Sequence, residues 1–166
     1  MKRRSMLVLL GAAMLAGCGV VDGTRSLLGL GPRPVAPDWQ TLALRAAEDA
    51  NANSAVAVDI VLVKDSTVLE SLLAMPAAKW FATRSDVQRS FPNALTVFSY
   101  ELVPGQSLAL NDRLWRSEKV WGALVYAGYA TPGEHRSRLL LSARGYMVQL
   151  DEQGFAATEI KPGAAQ

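Results

Sequence analysis

The sequence predicts a mostly β protein, a two-sheet β-sandwich with one short helical excursion between strands. Two observations point there. From about Trp39 to Ile160, short apolar or alternating segments are separated by clusters of Gly, Pro, Asn and Asp. Only one stretch, at about 66–91, shifts from the two-residue period of a strand to helical spacing. A body of this length suits a single domain with one core.

The elements follow in order. "WQTLALRA", Trp39 to Ala46, alternates as a first strand, with Leu42 and Leu44 on one face. "EDANANS", Glu48 to Ser54, is polar, small and turn-prone, and is expected as an exposed loop. "AVAVDIVLVK" is the strongest strand pattern: Val56, Val58, Ile60 and Leu62 share a face, and Asp59 interrupts the other. The loop joins these strands either as a hairpin or as a pair crossing between sheets.

Ser66 is expected to cap a helix carrying Val68, Leu69, Leu72 and Leu73. Pro76 suits the first turn of a second piece through Trp80 and Phe81, and Ser85 with Gln88 has capping-box spacing for a further turn before Phe91. Trp80 and Phe81 are expected to clamp this excursion onto the sandwich, the alternative being a binding surface. Thereafter "LTVFSYELV" sets Thr96, Phe98, Tyr100 and Leu102 on one face, and "PGQ" turns into "SLAL". "VWGALVYAGYA", "RSRLLLSA" and a terminal hairpin turning near Gln153 and Gly154 complete about eight strands.

The amino terminus carries a targeting pattern. Lys2, Arg3 and Arg4 precede an apolar run from Met6 to Ala16, about eleven residues where a spanning helix needs about 20. "LAGC" follows, and Cys18 is the only cysteine in the chain. This resembles a bacterial lipobox, whose cysteine becomes the lipidated first residue of the mature protein; the alternative is an ordinary secretory signal with an incidental cysteine. The expected layout is a signal peptide at 1–17, a lipidated flexible tether rich in Gly and Pro at 18–37, a sandwich domain at 38–161 and a tail at 162–166. Leu27, Leu28 and Leu30 either stay in the tether or lie on the membrane or the body. Gly19, where an Asp would signal inner-membrane retention, implies the outer membrane, with the body facing the periplasm.

Composition and motifs exclude several functions. Removing Lys2, Arg3 and Arg4 takes the formal charge of +2 down by three, to −1, and no run of five basic residues remains, so nucleic-acid binding has no support. With one cysteine, the fold must be held by packing without a disulfide. The sole histidine, His135, is expected as a solvated loop residue beside Glu134 and Arg136. Glu48, Asp49 and Asn51 lack the alternating oxygen ligands of a calcium loop. Asp59 and Asp65 are separated by most of a strand, which does not support shared acid/base work. No enzyme activity, metal or cofactor is expected beyond the covalent lipid on Cys18.

Lipobox, short tether, strand, small polar loop, valine-rich strand ending in Lys64, helical excursion, aromatic strand and "LVPGQ" occur in that order. The succession resembles the TssJ (SciN/VasD) family, outer-membrane lipoproteins of type VI secretion systems. The loop is shorter than is usual there, and the second strand reads "VDIVLVK" in place of a "VRIYQLK" pattern. The resemblance implies a transthyretin-like sandwich without catalytic activity, which binds the periplasmic C-terminal domain of the inner-membrane protein TssM and, through it, TssL. It maps partner binding onto Glu48, Asp49, Ala50, Asn51, Ala52, Asn53 and Ser54. The alternatives are another envelope assembly lipoprotein, or a periplasmic carrier of an apolar ligand with a cavity lined by Trp115, Trp121, Tyr126 and Tyr129.

Overall fold

The computed structural model describes residues 32–160. The signal segment, Cys18, most of the tether and the tail at 162–166 lie outside them. Eight strands form two four-stranded sheets: β1 (Thr41–Ala46), β2 (Val56–Val63), β3 (Leu95–Leu102), β4 (Ser107–Asn111), β5 (Gly122–Gly128), β6 (Arg136–Leu139), β7 (Gly145–Leu150) and β8 (Phe155–Glu159). One sheet has the order β4-β1-β7-β8 and the other β3-β2-β5-β6. β1 and β2 therefore belong to different sheets, so the polar loop between them is a crossing and not a hairpin. β1 pairs parallel with β7, while all other neighbours are antiparallel.

Alternation decides what each strand buries. Leu42, Leu44, Val58, Ile60, Leu62, Val125, Tyr146, Val148 and Leu150 meet between the sheets. Trp39 and Trp115 seal this core at one end with ring centroids 5.6 Å apart. Their indole N–H groups donate to Leu140 O and Trp39 O, each at 2.8 Å, so burial leaves neither donor unpaired.

A third layer covers the outer face of the second sheet. Helices α1 (Ser66–Leu73) and α2 (Ala77–Ser90) bury Val61, Val63, Leu124 and Tyr126 against Val68, Leu69, Leu72 and Trp80. This makes β2 apolar on both faces, which explains its nearly continuous hydrophobic run. The N-cap of α1 is Asp65, one residue before the expected Ser66; its carboxylate accepts from the N–H groups of Thr67 and Val68 at 2.8 and 3.0 Å. Pro76 sits at the N-cap of α2, outside the first turn, and Ser85 and Gln88 are interior to this one helix, so their capping-box spacing caps nothing.

Asp59 is the exception in β2. Its side chain is buried under α2, where Oδ2 accepts from Trp80 Nε1 at 2.8 Å and from Arg84 at 2.7 Å. Trp80 also stacks on Tyr126 at 5.0 Å. The clamp expected of Trp80 is thus built, with a carboxylate at its centre.

The folded body starts earlier than residue 38. Val35 and Val120 exchange backbone hydrogen bonds of 3.0 and 2.9 Å, and Asp38 N–H donates to Leu141 O at 2.8 Å. The body thus has two ends. The entry end gathers 34–39, the turn after α2, the 3₁₀ turn Asp112–Leu114 and the β6–β7 connection. The opposite end carries the site described next.

Candidate partner-binding surface

The loop end collects four connections: 47–55, 103–106, 129–135 and 151–154. Backbone bonds lace them together. Ala47 N–H donates to Leu150 O at 2.8 Å, Gly105 N–H to Ala47 O at 3.1 Å, and Asn51 N–H to Asp151 O at 3.2 Å.

The β1–β2 loop is a left-handed turn. Asn51, Ala52 and Asn53 have φ of 48°, 53° and 60°. Asn tolerates this region through its short polar side chain, but successive non-Gly residues there cost about 1–2 kcal/mol each. Such a turn persists only where the surroundings fix it. Asn51 supplies that fixing: its Nδ2 donates to Ala55 O at 3.0 Å, and its Oδ1 accepts from Ala130 N–H at 3.0 Å.

The expectation of a wholly exposed loop therefore fails at two positions. Ala50 and Asn51 are buried; they position the loop and present no side chain to a partner. Glu48, Asp49, Ala52, Asn53 and Ser54 are exposed as expected. Asn51 was legible as a turn former, but its bond to a residue 79 positions away was not.

The 129–135 loop is part of the same surface. His135, expected in solvent, is half-buried: its ring stacks on Tyr129 at 4.7 Å, and its Nε2 lies 2.9 Å from Thr131 O. Its φ of 40° and the closeness of Gly133, where a Cβ would meet the ring at 2.6 Å, show how tightly this loop folds on itself. Thr131 Oγ1 and the Tyr129 hydroxyl donate to Gln153 O and Gly154 O. Arg136 donates to the carbonyls of Leu72, Leu73 and Met75, satisfying the C-terminal end of α1, and pairs with Glu134 at 3.2 Å.

Beside these loops a cavity of about 420 Å³ opens over the start of α2, lined by Ala57, Ala77, Phe81, Gly128, Tyr129 and His135 among others. Small side chains at the floor leave the space. The same end of the body carries the exposed carboxylates Glu48, Asp49, Glu134, Asp151 and Glu152. Only Glu134 among these forms an ion pair with another described residue, while Asp151 accepts from Gln149 Nε2 at 3.2 Å. The end is therefore rigid, indented and acidic.

The aromatic set expected of a carrier is dispersed. Trp115 is in the core between the sheets, Tyr126 and Trp121 belong to the layer under the helices, and Tyr129 lies at the loop end. They line no common cavity. No group of three or more metal-ligating side chains occurs among the described residues.

The buried phenols give the body an alkaline limit. Burial pushes Tyr126 far above its ordinary value, with the Arg136 charge opposing this to a smaller extent, and burial pushes Tyr129 from 10.0 to about 12. The fold favours the neutral phenol, so this stabilisation is complete below the unfolded value and is lost as pH rises through the folded one. We expect the urea midpoint to hold to pH 10.0 and to fall towards about 12. Tyr129→Phe should flatten part of that fall; an unchanged profile would assign the loss to other groups.

No family model and no curated protein matches the chain. Solved structures do. Serratia marcescens Lip, a membrane-bound component of the type VI secretion system, superposes with a TM-score of 0.51 over 72% of this chain and 96% of that one, at 14% identity. The type VI lipoprotein TssJ1 from Pseudomonas aeruginosa gives 0.54 over 77% and 98%, at 16% identity. A chain in the structure of the type VI protein TssM C-terminal domain from EAEC gives 0.54 over 78% and 100%, also at 16% identity. The chain shares the fold of these proteins across its body.

Proposed function

We propose that this chain is a TssJ-type lipoprotein of a type VI secretion membrane complex. It is held at the outer membrane by lipid on Cys18 and binds the periplasmic C-terminal domain of a TssM protein, without a catalytic step. The observation that carries the binding role is the strained left-handed loop fixed by Asn51 on a rigid sandwich. Loops on such scaffolds are where recognition is commonly placed, and strain is kept where geometry matters. The fold shared with Lip and TssJ1 and the "LAGC" motif support the assignment.

The contact is assigned to Glu48, Asp49, Ala52, Asn53 and Ser54, with Ala50 and Asn51 holding them in place. The carboxylates call for a partner surface with basic side chains. Glu48→Lys with Asp49→Lys should weaken binding to the TssM domain at least tenfold, about 1.4 kcal/mol, and leave the melting temperature within a degree or two. The control is the same change of charge at Glu70 and Glu159, exposed positions on α1 and β8. Equal losses in both variants would remove the loop from the interface.

The anchor has its own test. Only the Cys18 thiol can take a diacylglycerol, so Cys18→Ser should abolish incorporation of labelled fatty acid and release the chain from the membrane fraction. A variant that remains labelled and membrane-bound would overturn the lipid assignment.

A further inference from the structure

Among the described residues six large apolar side chains are exposed, and they are unevenly placed. Val103 is at the loop end and Met147 lies on β7. The other four, Val35, Phe91, Leu114 and Leu140, stand at the entry end. Val35 bonds Val120 just before β5. Leu114 closes the 3₁₀ turn after β4, whose Asn111 pairs with Thr41 at the start of β1. Leu140 follows β6, and its carbonyl accepts from Trp39. Three of these side chains therefore ring the Trp39–Trp115 seal, while Phe91 stands on the helical layer.

Charge follows the same division. Arg113, Arg116, Lys119 and Arg144 are exposed on the entry-end segments and form no ion pair with another described residue. Asp38 and Asp112 are the acidic side chains of those segments, Glu118 is engaged by Lys64 at 2.6 Å, and Asp65 and Glu159 are exposed at the same end, Glu159 lining a groove with Leu140. The loop end carries the opposite excess.

We propose that the entry end is a membrane-contact face, which seats Val35, Leu114 and Leu140 in the headgroup region of a leaflet bearing phosphate lipids, with Arg113, Arg116, Lys119 and Arg144 on the phosphates. This rests on the lipid-anchor assignment. The body begins at Pro34, only about sixteen residues after Cys18. A chain of sixteen residues reaches at most about 55 Å even when fully extended. The entry end is thus the part of the body held at high effective concentration beside the bilayer. Basic side chains near an anionic surface strengthen attachment, and exposed apolar side chains among them bury into the interface. The acidic loop end is repelled by the same surface, so the body stands with its binding loops turned away from the lipid.

The test uses the full lipidated chain on vesicles of phosphatidylglycerol and phosphatidylcholine. With the Cys18 sulfur held in a thioether to diacylglycerol, an introduced cysteine is the one free thiol for a spin label. Labels at Leu114→Cys and Leu140→Cys should relax more with oxygen than with a water-soluble nickel chelate, and a label at Ser54→Cys should do the reverse. Arg113→Glu with Arg116→Glu should return the 114 label to water while the chain stays on the vesicles. Equal water access at 54, 114 and 140, or no response to charge reversal, overturns the contact face and leaves the anchor standing. A chain whose mass shows no acyl group on Cys18 overturns the anchor assignment, and this face with it.

Discussion

Ile60→Asp is expected to abolish cooperative unfolding of the body. Ile60 is fully buried between the sheets, paired across β2 with Phe98 on one side and Val125 on the other. A carboxylate there meets only apolar side chains. It must either ionise without a partner or take up a proton at the cost of a raised pKa, and it also removes a large buried side chain. Each effect alone costs several kcal/mol, against a total stability of about 5–15 kcal/mol for a domain. Thermal unfolding followed by circular dichroism checks this; a parent-like transition would mean that the inward face of β2 is misassigned.

The neighbouring residue shows why position matters more than strand. Asp59 is just as deeply placed, yet the fold accepts it because Trp80 and Arg84 reach it from α2. Its Oδ1 has no partner among the described residues, so the ion is only partly compensated. Arg84→Ala should therefore be the second most damaging change, at about 2–3 kcal/mol. Breaking a buried pair costs about 3–5 kcal/mol, and the part-exposed guanidinium lowers that figure through solvent screening. Asp59→Asn in the same chain should recover much of the loss, because a neutral amide is cheaper to bury alone. Urea midpoints of the parent, the two single variants and the double variant measure the coupling. Additive losses would show that Arg84 acts through packing on Phe81, over whose ring it also lies at 5.2 Å.

What could be read from the sequence was what repeats locally. The inward set of β2, the alternation of β3 and the shift to helical spacing after Ser66 are carried by neighbours in the chain, and the structure has them. α2 was harder to read. It buries only Ala77 and Trp80, so its apolar stripe is too thin to mark one helix of 14 residues. Whether β1 and β2 form a hairpin or cross between sheets depends on β7 inserting beside β1 from 104 residues away, which alternation does not encode. The candidate site was legible in the same measure. The seven-residue loop stood out by composition, but the burial of Ala50 and Asn51, and the folding of the His135 loop onto the same end, are products of long-range bonds.

The placement of β1 has a mechanical consequence. This strand runs from the entry segment directly to the left-handed loop, with β4 bonded along one edge and β7 along the other. Tension applied between Pro34 and the loop would pull parallel to the strand. The load would then run along the covalent backbone of β1, which is already extended, so neither ladder need break, where a perpendicular pull would peel the bonds one after another. A body loaded through these two points carries the force in a single strand and keeps its sandwich intact.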